Sequence, residues 1–165
     1  MFEFYIVSAS GLILFIALPL LLKSNAVLMF LLLCAGELVA KQVSVEASKF
    51  VSSFITSSSL PIYSAVQISI LLIAPMFILL AYKNTMQAKN IFFSITAGLA
   101  ATIVFVYLVT AKLPYDINQK IENTHYYSTI TAFVSVALVA GLVAATIYLI
   151  ANKPHSLKVA KHDKS

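Results

Sequence analysis

Five long apolar runs fill most of this chain, at about residues 5–22, 26–40, 61–82, 91–111 and 127–151. A helix of about 20 mainly apolar residues crosses the roughly 30 Å hydrocarbon core of a bilayer. The composition agrees, because 61% of the 165 residues are hydrophobic and only 10% are charged, whereas about a quarter are charged in typical soluble domains. The sequence therefore predicts an all-α polytopic membrane protein, a bundle of four to five transmembrane helices in one domain, residues 1–151.

The second run leaves the number of spans open, because residues 26–40 form only about 22 Å of helix. Beyond Lys41, apolar side chains recur at helical spacing opposite a serine-rich face, as in an amphipathic helix. The apolar set is Val43, Ala47, Phe50, Val51, Phe54 and Ile55, and the polar set is Ser44, Ser48, Lys49, Ser52 and Ser53. We expect this amphipathic joint either to lie in the membrane interface or to be the exposed end of a long second helix.

The lysines predict the orientation of the bundle, since all 11 basic residues are Lys and cytoplasmic loops are enriched in positive charge. With five spans, one side of the membrane carries seven lysines and a single acid, Asp163. These lysines are Lys23, Lys83, Lys89, Lys153, Lys158, Lys161 and Lys164. The other side receives Lys41, Lys49, Lys112 and Lys120, offset by Glu46, Asp116 and Glu122. We therefore expect the first helix to begin outside a bacterial cytoplasmic membrane. Residues 152–165 should form a disordered, basic cytoplasmic tail that is attracted to lipid headgroups.

Three polar side chains fall in or beside the apolar runs and are the candidate intramembrane groups: Glu37, Lys41 and Gln67. Glu37 and Lys41 are four residues apart, so they can pair on one helix face. A charged group in a span usually faces a cavity or the bundle interior, although Glu37 could instead snorkel to a nearby interface. Gln67 could line a polar path, but such residues more often hold helices together by a hydrogen bond.

Backbone-shaping residues mark three of the helices. Pro75 lies centrally in the third run and predicts a kink, which is either static or a hinge. Gly98 on the fourth run, and Ala137, Gly141 and Ala145 on the fifth, belong to stripes of small residues at four-residue spacing. Because small residues let helices approach closely, we expect these stripes to pack against each other or against a second subunit.

Catalytic and metal-binding motifs are not found in this sequence. The three histidines, His125, His155 and His162, lack a second ligand at metal spacing, and Cys34 has no cysteine partner in the chain. The absence of Arg also argues against recognition of nucleic acid. We expect a protein that is not an enzyme and that has no cofactor, metal or nucleic-acid partner.

In the order and spacing of its segments, the chain resembles the colicin V production family of small bacterial inner-membrane proteins. The resemblance runs through 11–22, 28–40, the joint 43–55, 61–82 and 90–111, with Gly98 at the small-residue position of the fourth helix. The basic turn of that family after helix one is replaced here by Leu22-Lys23-Ser24-Asn25, and its Asp-Arg pair before helix four by Lys89-Asn90. A fifth helix is also added. The resemblance implies the helix order, and it carries no functional residue over.

Two functions fit these patterns. The first is a structural or accessory subunit that works in the lipid bilayer by packing against itself or another membrane protein. The alternative is a small channel or transporter with a polar path near Glu37, Gln67 and Pro75.

Overall fold

The computed structural model describes residues 2–54, 61–81 and 91–152, and no strand occurs in these ranges. The helices are α1 (Phe2–Leu12), a π-helical turn (Ile13–Ala17), α2 (Leu18–Leu21), α3 (Ala26–Ser52), α4 (Ile62–Ala81), α5 (Ile91–Lys112), α6 (Tyr115–Glu122) and α7 (His125–Ala151). We refer to α1, the π turn and α2 together as the first span. The first span, α3, α4, α5 and α7 are each long and apolar enough to cross a membrane. The prediction of an all-α, multi-pass membrane protein is confirmed. The predicted tail, apart from Asn152, and Lys83 and Lys89 lie outside the described residues.

Successive spans run in opposite directions, as side-chain contacts at the two ends of the bundle show. At one end, the rings of Phe4 at the start of the first span and Tyr126 at the start of α7 are stacked with centroids 6.1 Å apart. At the other end, the Asn25 amide before α3 donates to the Tyr148 hydroxyl near the end of α7, at 2.6 Å. We call these the α6 end and the Asn25 end. The chain therefore crosses the bundle five times, and α1 begins at the end opposite to the one where α7 finishes.

Helix α5 is at the centre of the bundle, in contact with the first span, α3 and α7. About half of its most apolar stretch is buried (50%), against 22% for α4, which packs almost entirely on α3. The core between these helices is apolar, and its largest fully buried side chains include Phe15, Phe30, Leu33 and Leu71. Helix α4 and the first span, which is also 22% buried, therefore have the least protein around them and present wide faces toward the bilayer.

The connection from the first span to α3 is a tight turn with a Schellman hydrogen-bond pattern. The Ser24 amide donates to the Pro19 carbonyl at 2.8 Å, and the Lys23 amide donates to the Leu20 carbonyl at 3.3 Å. Lys23 has a positive φ of 49°, the left-handed conformation that this motif requires and that Gly usually supplies. Asn25 then caps α3, because its side-chain oxygen accepts from the Val27 amide at 3.0 Å.

Two glycines approach carbonyl oxygens that lie one turn before a proline. Proline has no amide hydrogen, so Pro19 and Pro75 cannot bond the carbonyls four residues earlier. These carbonyls belong to Phe15 and Leu71. A Cβ atom at Gly98 of α5 would lie 2.5 Å from the Phe15 oxygen, and one at Gly36 of α3 would lie 3.3 Å from the Leu71 oxygen. The neighbouring helix thus covers each carbonyl with a residue that lacks a side chain, which keeps the exposed backbone away from lipid.

Helix α3 continues without interruption to Ser52, so the amphipathic joint is the second half of α3 rather than a separate element. Burial does not separate the two faces, because Lys49, Ser52 and Ser53 of the polar set are exposed, and so are Val43, Phe50 and Phe54 of the apolar set. Ser44, in contrast, is fully buried. Polar partners on α4 surround Ser44, and the apolar side chains point outward, as they do in a helix that is embedded in lipid.

The small-residue stripes are packing interfaces inside the chain. Ala137, Gly141 and Ala145 of α7 are all buried. A Cβ atom at Gly141 would lie 2.7 Å from the Cε1 and 2.8 Å from the Cε2 atom of the Phe30 ring, so this glycine makes room for a core aromatic of α3. Of the two partners that we considered, neighbouring helices of the same chain occupy these residues, and they are closed to a second subunit.

Candidate functional site

A buried ion pair joins helices α3 and α5. The Lys112 ammonium, on the last residue of α5, donates to the Oε2 atom of Glu37 in α3 at 2.6 Å. The two side chains are only 7% and 12% exposed. At this distance, and away from water, the bond is a short charge-assisted hydrogen bond that neutralises both groups.

Lys41 is the second cation beside Glu37, at 3.6 Å from its Oε1 atom, but the Lys41 side chain is 68% exposed. The predicted pairing of Glu37 with Lys41 is therefore present as the weaker of two contacts. Lys112, which follows the fourth apolar run in the sequence, is the last residue of α5, and its side chain turns back into the bundle. The position of Lys112 directly after the apolar run 91–111 is the one sequence signal that could have suggested this role.

The ion pair joins two helices that are long and apolar enough to cross a membrane. Glu37 is 11 residues beyond Ala26, about 16 Å along α3, and Lys112 reaches it from the last residue of α5. Lys41 is one turn nearer the α6 end. A carboxylate on such a helix requires a partner, since an isolated charge in hydrocarbon is strongly unfavourable. Lys112 meets that requirement from a different helix.

A cavity of about 240 Å³ opens beside Glu37, between α3, α5 and α7. Four of the side chains around it carry polar or ionisable groups, and four are apolar. The first group is Cys34, Glu37, Lys41 and Tyr107, and the second is Val104, Leu108, Val134 and Leu138. The cavity is therefore amphipathic, with its cation on the side toward the α6 end.

Gln67 forms a separate polar cluster between α3 and α4. Its amide donates to the Tyr63 hydroxyl at 3.0 Å and to the Ser44 hydroxyl at 3.3 Å. The Ser44 hydroxyl in turn donates to Tyr63 at 3.4 Å. These bonds fasten the two helices together, which is the commoner of the two roles that we considered for this glutamine.

The three features of the predicted polar path lie in different surroundings. Glu37 bonds to lysines, Gln67 bonds to Ser44 and Tyr63, and Pro75 is buried in the apolar packing of α4. Toward the Asn25 end, the side chains of α3 that lie below Glu37 include Val27, Met29, Phe30 and Leu33, all with 0% exposure. In the part of the chain that the structure describes, the charged cavity therefore ends on an apolar layer.

Sequence reasoning missed a second polar cluster, at the Asn25 end. Asn25 caps α3 and also donates to Tyr148 of α7, while the hydroxyl of the adjacent Ser24 lies 3.5 Å from the Ile78 carbonyl of α4. Both Ser24 and Asn25 are buried. The two residues connect the turn between the first span and α3 to α4 and α7. No local pattern in the sequence predicts these contacts.

No protein-family model, curated protein or solved structure matches this chain. The resemblance to the colicin V production family accordingly stays a prediction. Within residues 2–54, 61–81 and 91–152, no group of three His, Cys, Asp or Glu side chains is placed to hold a metal ion.

Proposed function

We propose that this multi-pass membrane protein is a structural or accessory subunit that binds a transmembrane helix of another membrane protein. The observation that carries the proposal is a groove of about 290 Å³ between α3 and α4. Its small residues are Ala35, Gly36 and Ala74, and its walls are Leu32, Val39, Ile70 and Ile73. Small residues on a lipid-facing groove let a further helix approach closely.

The position of α4 supports this proposal. Since α4 packs almost entirely on α3, most of its surface is available to the bilayer or to another protein. The stripes on α5 and α7, which the sequence offered as a partner surface, are occupied inside the chain. The groove on α3 and α4 remains unfilled by any described side chain, and this is why we place the partner there.

Crosslinking and native mass spectrometry in mild detergent test the proposal. Ala35→Phe fills the groove with an aromatic ring and should abolish a co-purifying partner or dimer. Leu38→Phe is the matched control, because Leu38 is 67% exposed on the same helix and is not part of the groove. A strict monomer without a co-purifying protein would refute the accessory role, and so would a partner that Ala35→Phe leaves in place.

The cavity beside Glu37 favours a second candidate function, a small transporter in which this carboxylate binds the transported ion or polar group. Such a function requires the apolar layer around Phe30 and Leu33 to open during transport. It predicts that Glu37→Gln changes ion flux into proteoliposomes. Unchanged flux of each ion tested, with folding intact, would remove this candidate.

A further inference from the structure

The cavity beside Glu37 has the charge of an anion-binding site at one side and apolar walls at the other. Glu37 supplies one negative charge, and Lys112 and Lys41 supply two positive charges, so the cluster carries a surplus of one positive charge. The 2.6 Å hydrogen bond pairs Glu37 with Lys112. In the described ranges of the chain, no other carboxylate forms an ion pair with Lys41, which is therefore the cation that is left for a ligand.

Lys41 and Tyr107 stand where the cavity opens to the surroundings. Lys41 is four residues beyond Glu37, about 6 Å nearer the α6 end, and its side chain is largely exposed. The Tyr107 phenol borders the same cavity and makes no hydrogen bond to any residue in the described part of the chain. A lysine and a phenol at this level are donors for a phosphate at the boundary of the hydrocarbon core.

The size and lining of the cavity restrict the kind of ligand. Pockets that enclose a whole small molecule measure roughly 300–1,000 Å³, and this cavity is smaller, at about 240 Å³. Its apolar walls, Val104 and Leu108 of α5 with Val134 and Leu138 of α7, lie on membrane-spanning helices. The fitting ligand is one that places an anionic group at Lys41 and part of an apolar chain against these walls, with its remainder in the bilayer.

We propose that this cavity binds one anionic phospholipid. Its phosphate is held by Lys41 and reached by the Tyr107 hydroxyl, and a segment of one acyl chain packs on Val104, Leu108, Val134 and Leu138. Glu37 borders the site, and its bond to Lys112 keeps the buried carboxylate from repelling the phosphate. The inference does not depend on the proposed accessory function, because the lipid site is on α3, α5 and α7, whereas the partner groove is between α3 and α4.

Native mass spectrometry of the full chain, released from micelles that contain either phosphatidylglycerol or phosphatidylcholine, tests this site. The protein should retain one phosphatidylglycerol in preference to phosphatidylcholine. Lys41→Gln should weaken that retention about fivefold, the factor that corresponds to roughly 1 kcal/mol for one lysine near an anionic headgroup. The matched control is Lys49→Gln, which removes an exposed lysine two turns further along α3 and should leave retention unchanged.

Two further experiments distinguish a specific lipid site from general electrostatic attraction of anionic lipids to the protein. Leu138→Trp should lower phosphatidylglycerol retention by filling the apolar wall without changing any charge, and its thermal unfolding shows whether the bundle stays intact. Inorganic phosphate should not displace the lipid. Four results would each overturn the proposal. Two concern the lipids: equal retention of phosphatidylglycerol and phosphatidylcholine, or displacement of the lipid by phosphate. Two concern the variants: equal loss of retention in Lys41→Gln and Lys49→Gln, or unchanged retention by a folded Leu138→Trp protein.

Discussion

The ion pair between Glu37 and Lys112 makes the strongest quantitative prediction. At 2.6 Å, two unit charges attract by about 6 kcal/mol if the effective dielectric constant is about 20. Most of this attraction is offset by the cost of removing both groups from water. Removing one partner alone is different, because Lys112 would stay buried without a counterion, and Glu37 would keep only the weaker contact with the exposed Lys41. We therefore expect Glu37→Leu and Lys112→Met each to lower the free energy of unfolding by about 3–5 kcal/mol.

The double variant distinguishes this reasoning from a simple loss of contacts. Replacing a buried ion pair with apolar residues is often neutral or stabilising, so Glu37→Leu combined with Lys112→Met should be more stable than either single variant. Lys41→Gln should cost only about 0–1 kcal/mol, because Lys41 is 68% exposed and its contact is 3.6 Å. Equilibrium unfolding of the purified protein in mixed micelles measures all four variants. A loss for Lys41→Gln as large as that for Lys112→Met, or additive losses in the double variant, would refute the argument from burial.

Three further predictions follow from the backbone and the topology. Gly98→Ala should destabilise the bundle by about 1–3 kcal/mol, because the added methyl group meets a carbonyl oxygen at 2.5 Å; an unchanged midpoint of thermal unfolding would contradict this. Lys23→Gly should raise stability by up to about 1 kcal/mol by relieving the positive φ, also measured by thermal unfolding, and a clear loss would show that the lysine side chain matters there. In a Cys34→Ala background, Asn123→Cys should react with an impermeant thiol reagent from outside the cell and Ser156→Cys should not; the opposite labelling would reverse the proposed orientation.

The five spans were predictable because each is a continuous apolar stretch, and length and composition decide whether such a stretch can cross a bilayer. The Glu37–Lys41 contact was also predictable, since it depends only on the four-residue spacing within one helix. The dominant partner of Glu37, Lys112, was not predictable. Lys112 is 75 residues away, and its position beside Glu37 depends on how α5 packs against α3, which no local pattern encodes.

The burial of Ser44 in the second half of α3 was not predictable, for a different physical reason. The spacing of apolar and polar side chains defines two helix faces, but it does not identify the residue that meets a neighbouring helix. Next to lipid, apolar side chains can face outward at no cost, and a hydroxyl such as that of Ser44 is best placed against polar partners. The buried contacts of Ser44 with Tyr63 and Gln67 follow this rule. The helical period was right, and the partners of Ser44 depend on how α4 packs on α3.

The long separation between Glu37 and Lys112 also has a consequence during synthesis. At about 5–20 residues per second, the 75 residues between the two take roughly 4–15 s to be made. During this interval α3 is completed, since it extends to Ser52, while Lys112 does not yet exist. Lys41 emerges on the same helix within about a second and can neutralise Glu37 until α5 arrives. The exposed lysine, which adds little to the finished bundle, is thus the nearest counterion for Glu37 during this interval.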